Sequence, residues 1–561
     1  MIILGIHIGH DSCAALIKDG EIISDVQEER FSRVKHSNNV PIKSIQYCLD
    51  YSKLKNINDV DYIVFSQKKI PQKARVLFGL ENEDQGVTSK IKKIIKKSLG
   101  FSSQSVPIYF PDFIINDISK CRYVEHHLSH AASAYYTQPK HDKCLIFTID
   151  GAGDEVSTAT WLGQGNKITP LIKYGKDAAI GHAYSIVTEA LNWIHGDGEG
   201  KTMGLAPYGN YEKCKGILDN IFPVFENEKL IKPAEMGQPT FWEESGSMQY
   251  HMNEAISVNQ LIKQYGEANV AAEGQRKLEE TILNFVFGWC KKTGIKNIAC
   301  AGGVFLNVKL NQRIWNSRGF LLESQHIYPN PGDSGLAVGA ALYIYYTLNE
   351  FVGNTIDNLY KGPSYNNEEV KDLLDIRKLN YEYINNPALK AAELLAQDKI
   401  VAWFQGRMES GPRALGNRSI LISPNKSENK DLINARVKFR ENFRPFCPSI
   451  LFEKKDIYLQ DCRDEFFMIT SFDMQENKIA SIPAVVHVDG TGRPQLVTKE
   501  KNQLYWQLIN AFGELTGEYA ILNTSFNIMG EPIINNPKEA IRGFYDSGID
   551  AIFINNYLLQ K

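Results

Sequence analysis

The chain has 561 residues, of which 43% are hydrophobic, 23% charged and 11% aromatic, and its 62 basic and 65 acidic side chains leave a formal charge of −3. This composition suits two or more buried cores and excludes a collagen, a coiled coil, a disulfide-built secreted scaffold and a polybasic nucleic-acid-binding coat. No apolar run approaches the roughly 18–20 residues needed to cross a bilayer. In chain order, IILGI (2–6) and CAALI (13–17) read as strands, and the dipeptide Asp19-Gly20 turns the second into EIISDV (21–26). Residues 41–54 place apolar side chains at helical spacing, and DYIVFS (61–66) is again a strand. SKIKKIIKKSLG (89–100) reads as a basic amphipathic helix, a solvated edge or flap rather than a membrane-surface segment.

A unit like the first returns at CLIFTID (144–150), where the turn GAGDE leads into STATWLG (157–163). With Asp11 and Asp150 beside the two turns, the repetition predicts a duplicated α/β lobe. NIACAGGVFLN (297–307) is a strand, two glycines and helix-compatible sequence, and YPNPGDSG (328–335) opens the helix LAVGAALYIYYTL. The turn-rich stretch around 350–370 marks a domain boundary, after which ALKAAELLAQ (helix) and KIVAWFQ (strand) begin a second α/β unit. The expected division is 1–355, a connector over 356–385, and 386–561. The opening MIILGIHIGHDSC lacks a basic n-region and a small-residue cleavage site, so it reads as folded protein. The nine cysteines include no C-x-x-C pair and lie mostly in apolar context, which predicts reduced, buried thiols and a cytoplasmic address.

Several motifs carry chemistry. In VEHHLSHAASAYY (124–136), His126 and His130 are four apart and share one helix face, a spacing that suits chelation of one metal ion or a surface or capping role. Position 127, which would hold the catalytic Glu of an HEXXH hydrolase, is His and so speaks against that chemistry. Asp150 and Asp333, at strand–turn junctions, are the candidates to complete a mixed imidazole–carboxylate set for a divalent metal. Gly302-Gly303 lets backbone N–H groups approach an anion at a helix N-terminus, and Lys201 in HGDGEGKTMGLAPYG is a candidate phosphate partner. EERFSRVKH (28–36) reads as a solvated face or as a run presenting Arg33 or Lys35 to a nucleotide. In the second unit, Arg413, Arg418, Lys438, Arg440 and Arg444 sit among glycines, prolines and aromatics and predict a small-oxyanion pocket, with Arg493, Asn523 and Ser525 beside it. His10, next to Asp11 at the first turn, is the candidate general base.

Taken in order, GHDSCAAL, EERFSRVKH, HHLSHAASA, EGKTMGLAPYG, AGGVFLN, GDSGLAVGAAL, GPRALGNRSI, RENFRPFCPSI, HVDGTGRPQ and NTSFNIMGEP resemble the NodU/CmcH family of O-carbamoyltransferases over nearly the whole chain. The resemblance implies an N-terminal actin/hexokinase-type ATPase fold, as in tRNA threonylcarbamoyl transferases, followed by a C-terminal YrdC-like α/β domain. It implies a divalent metal, Fe2+ with Mg2+ or Mn2+ as alternatives, on His126, His130, Asp150 and Asp333. ATP would contact Lys35, Gly181, Gly302, Gly303, Val304 and Asn307, and carbamoyl phosphate Arg413, Lys438, Arg444, Arg493 and Asn523. His10 and Asp11 are the catalytic pair on this reading. The partner is a small-molecule hydroxyl acceptor rather than a membrane or nucleic acid, and a tRNA threonylcarbamoyl-type modification is the alternative. HIGHDS, where many members have an aromatic before HDS, leaves the acceptor pocket open, as are the acceptor's identity and the oligomeric state, a homodimer included.

Overall fold

A computed structural model of the chain describes residues 1–80, 113–233, 240–244 and 247–561. The basic helix expected at 89–100 lies outside the described residues. Strands β1 (Ile2–His7), β2 (Cys13–Lys18) and β3 (Glu21–Gln27) form an antiparallel ladder, to which β4 (Tyr62–Phe65) and β5 (Cys121–Tyr123) add in parallel. The sheet order is β3-β2-β1-β4-β5. The second lobe repeats it with β6 (Cys144–Gly153), β7 (Val156–Gln164), β8 (Lys167–Tyr174), β9 (Asn297–Ala301) and β10 (Ser324–Ile327), in the order β8-β7-β6-β9-β10. Strand for strand and sense for sense, the lobes are duplicates, the actin/hexokinase-like arrangement. The inner strands β1, β6 and β9 are near-continuous apolar runs because both sheet faces are covered. Both hairpins close on two-residue turns with positive φ, Asp19-Gly20 at 51° and 87° and Asp154-Glu155 at 48° and 70°. The second turn is therefore shorter than the GAGDE expected from sequence. Strand β6 continues through Gly153 after an irregularity between Ile149 and Gly153.

Helix α1 (Ile42–Tyr51) covers the first sheet, while α2 (His126–Tyr135) and α3 (Leu336–Leu348) pack on each other between the lobes. Gly339 makes that contact possible, since a Cβ there would lie 1.9 Å from the Ser129 carbonyl oxygen. Any side chain at 339 would push α3 away from the helix that carries His126 and His130.

The second domain is a mixed eight-stranded sheet. In spatial order its strands are Glu382–Tyr383, Tyr557–Gln560, Ala551–Ile554, Val401–Phe404, Arg418–Ile422, Ala520–Ser525, Cys447–Leu451 and Gln495–Val497. Alternation along one strand separates the two faces. Val401 and Trp403 pack under helices Pro387–Ala396 and Gln503–Thr516, and Ala402 and Phe404 join Ile541 and Phe544 of helix Pro537–Tyr545. The connector expected over 356–385 contains helix Asn367–Ile376, whose Val370 and Leu374 enter this domain's core. Upstream, Phe351, Ile356 and Leu359 are buried with first-domain side chains.

The charged run 28–36 is not a solvated face. Glu28, Glu29 and Arg30 are buried. Arg30 donates to Gly411 O at 2.8 Å, and Arg33 donates to Ile533 O and Pro532 O at 2.8 and 2.7 Å. Arg33 is thus an anchor to the second domain, occupied by carbonyls rather than free for a nucleotide. Asp25 of β3 also crosses the joint, accepting a hydrogen bond from Ser410 Oγ, while its Oδ1 is buried without a partner. Burial pushes the Asp25 carboxyl up to about 7. Raised above an unfolded value of about 3.9, it contributes stability that is complete below that value and lost as the pH rises through 7. The thermal midpoint is therefore expected to fall between pH 5 and pH 8, and Asp25→Asn to flatten the fall. The effect is at most about 4 kcal/mol, and equal slopes in the two proteins would refute it. None of the nine cysteines forms a disulfide, and eight of them are buried. Among the described residues, no helix is long and apolar enough to cross a membrane.

Candidate active site

Four predicted ligands from three separate segments meet between the lobes. His126 and His130 project from α2, Asp150 from the irregularity in β6, and Asp333 from the short turn that precedes α3. Their ligand atoms all lie within 4.8 Å of one another. His130 Nε2 is 3.0 Å from Asp150 Oδ2 and 3.4 Å from Asp333 Oδ1, and His126 Nε2 is 3.5 Å from each carboxylate. The displaced register of β6 lifts Asp150 out of the ladder, a use of bulges that recurs at functional sites. Burial opposes a proton on His130, yet hydrogen bonds and charge from Asp150 and Asp333 raise it to about 9. Burial likewise opposes ionisation of Asp150, but His126 and His130 hold it well below the usual carboxylate range. His126 Nε2 is buried with no hydrogen-bond partner. Two imidazole nitrogens and two carboxylate oxygens around an orphaned nitrogen fit a divalent transition metal. His127, between them in sequence, turns away: Nε2 donates to Val156 O at 3.0 Å and Nδ1 accepts from Thr148 Oγ1 at 2.9 Å.

A second cluster stands at the first turn. His10 Nδ1 lies 2.9 Å from Asp11 Oδ2, and His36 Nδ1 is 2.9 Å from Asp11 Oδ1, so one carboxylate holds two imidazoles. Their rings stack with centroids 4.7 Å apart. Asp11 and His36 both occupy the left-handed region, with φ of 61° and 53°, strain of the kind that collects at functional sites. Burial lowers the proton affinity of His10, but the Asp11 charge and hydrogen bond leave it raised. Sequence reasoning passed over His36; its signal was its place at the end of the charged run, within reach of the Asp11 turn.

The expected nucleotide residues divide. Gly181, Gly302 and Gly303 all face the Asp150 segment, where a Cβ on each would come within 2.7 Å of Asp150 O, 2.2 Å of Ile149 O and 2.9 Å of Asp150 Oδ1, respectively. Gly302 also needs its φ of 105°. Val304 lies in the turn Gly303–Leu306 and packs on the second-lobe core. Asn307 is already engaged: its Oδ1 caps helix Val308–Asn316 and its Nδ2 donates to Gln275. Lys35 pairs with Asp197 at 2.5 Å, and Lys201 pairs across the domains with Glu441 at 2.8 Å.

In the second domain, cations converge. Burial, then Arg493 and Arg444, push the Arg413 guanidinium down to about 9. Burial and Arg444 do the same to Arg440, also to about 9, and Arg440 lies on the Phe446 ring at 3.9 Å. Lys438 is held well below the ordinary lysine range by burial, Arg440 and Arg444, and donates to Asn527 Oδ1 at 2.8 Å. Arg493 directs Nε and Nη2 at Cys447 Sγ, 3.0 and 2.7 Å away, and Arg444 Nη1 lies 3.7 Å from Glu441. Cations that depress one another's proton affinity with one carboxylate at the edge form an anion pocket. It faces the first domain, where Phe443 meets Trp193 and Gly204 lies against Arg444. Asn523 lies beneath, its Nδ2 donating to Ala414 O and Ser449 Oγ at 3.1 Å each, while its Oδ1 is buried without a partner. Ser525 O accepts from Lys438 Nζ. Arg418 does not belong to the pocket. It is fully buried, its guanidinium spent on the carbonyls of Gln405, Asn417, Pro363 and Gly406 and laid on Phe404, so it is a structural brace.

The fold places the chain among α/β proteins built on duplicated lobes followed by a second α/β domain. The family model for the carbamoyltransferase N-terminus matches residues 2–342, and that for the carbamoyltransferase C-terminus matches residues 392–561. The chain belongs to the carbamoyltransferase family, and it is a carbamoyltransferase. Nodulation protein NolNO of Sinorhizobium fredii is 34% identical over 561 residues, covering 98% of this chain and 79% of the relative. The uncharacterized protein MJ1058 of Methanocaldococcus jannaschii is 33% identical, covering 100% and 99%. Among solved structures, the activator of the 2-hydroxyisocaproyl-CoA dehydratase from Clostridium difficile with bound ADPNP has a TM-score of 0.32 and 12% identity, covering 62% of this chain and 94% of that one.

Proposed function

We propose that the enzyme is an ATP-dependent O-carbamoyltransferase that moves the carbamoyl group of carbamoyl phosphate, through carbamoyl-adenylate, to a hydroxyl of a small-molecule acceptor. The observation that carries this reading is the cationic pocket of the second domain, opened toward a first domain with its own acid–base and ligand cluster. Arg413, Arg444, Arg493 and Lys438 bind the phosphate of carbamoyl phosphate by charge-assisted hydrogen bonds. There water cleaves carbamoyl phosphate to carbamate and inorganic phosphate, the carbamate oxygen attacks the α-phosphorus of ATP, and pyrophosphate leaves. In the first domain the acceptor hydroxyl attacks the carbonyl carbon of carbamoyl-adenylate, its proton passes to His10 Nε2, and AMP leaves. Asp11 accepts from His10 Nδ1 and so fixes the tautomer that frees Nε2 to take the proton. Enclosing the labile adenylate between the domains excludes water.

His126, His130, Asp150 and Asp333 would hold a divalent metal, Fe2+ on this reading with Mg2+ or Mn2+ as alternatives. Such an ion supplies Lewis-acid neutralisation of phosphate charge. His130→Ala is expected to lower bound metal, read by elemental analysis, by more than the about 10–100-fold typical of losing a supporting residue, with the fold retained. Full occupancy in that variant would remove His130 from the ligand set.

Incubation with carbamoyl phosphate and ATP tests the reaction itself. AMP and pyrophosphate are the expected products; ADP alone would overturn the adenylate route. Turnover that requires L-threonine and bicarbonate would favour a tRNA threonylcarbamoyl-type reaction instead. The net charge of −3 weighs against a tRNA substrate.

A further inference from the structure

We propose that a cleft at the junction of the connector and the second domain binds a small phosphate-bearing anion, at a site separate from the arginine pocket. Its volume is about 430 Å³, within the range of small-molecule sites. Lys361, Arg407 and Lys501 line it together with Asn358, Gln405 and Asn502, and no carboxylate does.

None of the three cations has a counterion within the cleft lining. Arg407 Nε donates to Gly362 O at 3.1 Å and its Nη2 to Lys361 O, Ile23 O and the Tyr47 hydroxyl at 2.5, 3.0 and 3.4 Å, all neutral acceptors, while its guanidinium lies 4.1 Å over the Tyr51 ring. It therefore adds positive charge, and the two lysines supply the donors to the anion. Lys501 Nζ rests 3.7 Å over Phe466. Among the described residues, none of the three forms an ion pair. Burial holds both lysines below their ordinary range. The charges that counter this, Asp357 for both and Glu21 and Asp25 for Lys361, with Asp464 for Lys501, act from outside the cleft lining. Partly desolvated cations without a paired anion are costly, and an entering phosphate offsets that cost.

The walls are already built. Asn502 Nδ2 donates to the Tyr360 hydroxyl and to Asn417 Oδ1, both at 3.0 Å, and Asn502 Oδ1 caps helix Gln503–Thr516. The Tyr360 hydroxyl donates to Leu415 O at 2.8 Å. Thus the floor of the cleft and Arg413 of the arginine pocket share one loop.

Pyridoxal 5′-phosphate on the full chain is the probe. A deprotonated lysine amine adds to its aldehyde, water leaves, and borohydride reduces the imine to a stable secondary amine, so peptide mass mapping reports the site. Lys361 or Lys501 is expected to react about tenfold faster than the exposed Lys55 and Lys229, because the phosphate is drawn to clustered positive charge. Inorganic phosphate should protect it, and unphosphorylated pyridoxal should show no such preference. In Lys361→Gln, phosphate protection of Lys501 should weaken. Labelling of both lysines at the rate of the exposed ones, a preference that pyridoxal shares, or labelling confined to Lys438 or Lys35 would overturn the site.

Discussion

His10→Asn is expected to lower carbamoyl transfer by about 10²–10⁴-fold, the range for a positioned acid–base group, while carbamoyl-adenylate still forms. His10 Nδ1 is committed to Asp11, whose other oxygen is held by His36, so the carboxylate is fixed from its far side and the His10 ring cannot turn without giving up its contact with Asp11. His36 is fixed in turn: its Nε2 lies 3.4 Å from Asp197, which Lys35 also grips, and its backbone N–H donates to Glu29 Oε2 at 3.0 Å. Asparagine keeps a donor toward Asp11 and lacks the proton-accepting Nε2. Single-turnover transfer from separately supplied carbamoyl-adenylate makes the measurement. An unchanged rate would remove His10 from the mechanism. A parallel fall in both half-reactions together with a lower thermal midpoint would mean that His10 merely supports the turn.

The same cluster shows how far the sequence could be read. Residues four apart on a helix share a face in any protein, so His126 and His130 were legible as a pair. Asp150 and Asp333 were legible as candidate ligands from their places at strand–turn junctions, not as neighbours of the histidines. Their meeting depends on the β6 irregularity and on Gly339 letting α3 close on α2, which no local pattern encodes. Strand repeats and turn dipeptides announced the duplicated lobes for the opposite reason, since hairpins and apolar strands are local. Arg418 misled because arginines among glycines look alike whether they face an anion or four carbonyls, and burial alone separates the two. The run 28–36 misled similarly: high charge density reads as solvent-facing until a second domain supplies partners 381 and 500 residues away in sequence.

Arg413→Ala and Arg444→Ala are each expected to slow phosphate release from carbamoyl phosphate by about 10–150-fold, the equivalent of a charge-assisted hydrogen bond worth about 1.5–3 kcal/mol. Burial and the neighbouring Arg493 and Arg444 already depress Arg413, so the pocket without its anion is strained by like charge. Removing Arg413 relieves that repulsion, and the ligand-free variant should melt no lower than the parent. It should lose instead the rise in thermal midpoint that phosphate gives the parent, because a ligand stabilises only in proportion to its affinity for the folded state. Binding of a nucleotide analogue to the first domain should stay within about twofold, since independent sites contribute additively. These readouts move in opposite directions: melting holds or rises while anion binding and phosphate release fall. A variant that melts early and loses nucleotide binding in step would show instead that Arg413 braces the joint between the domains, through the loop whose Gly411 O accepts from Arg30.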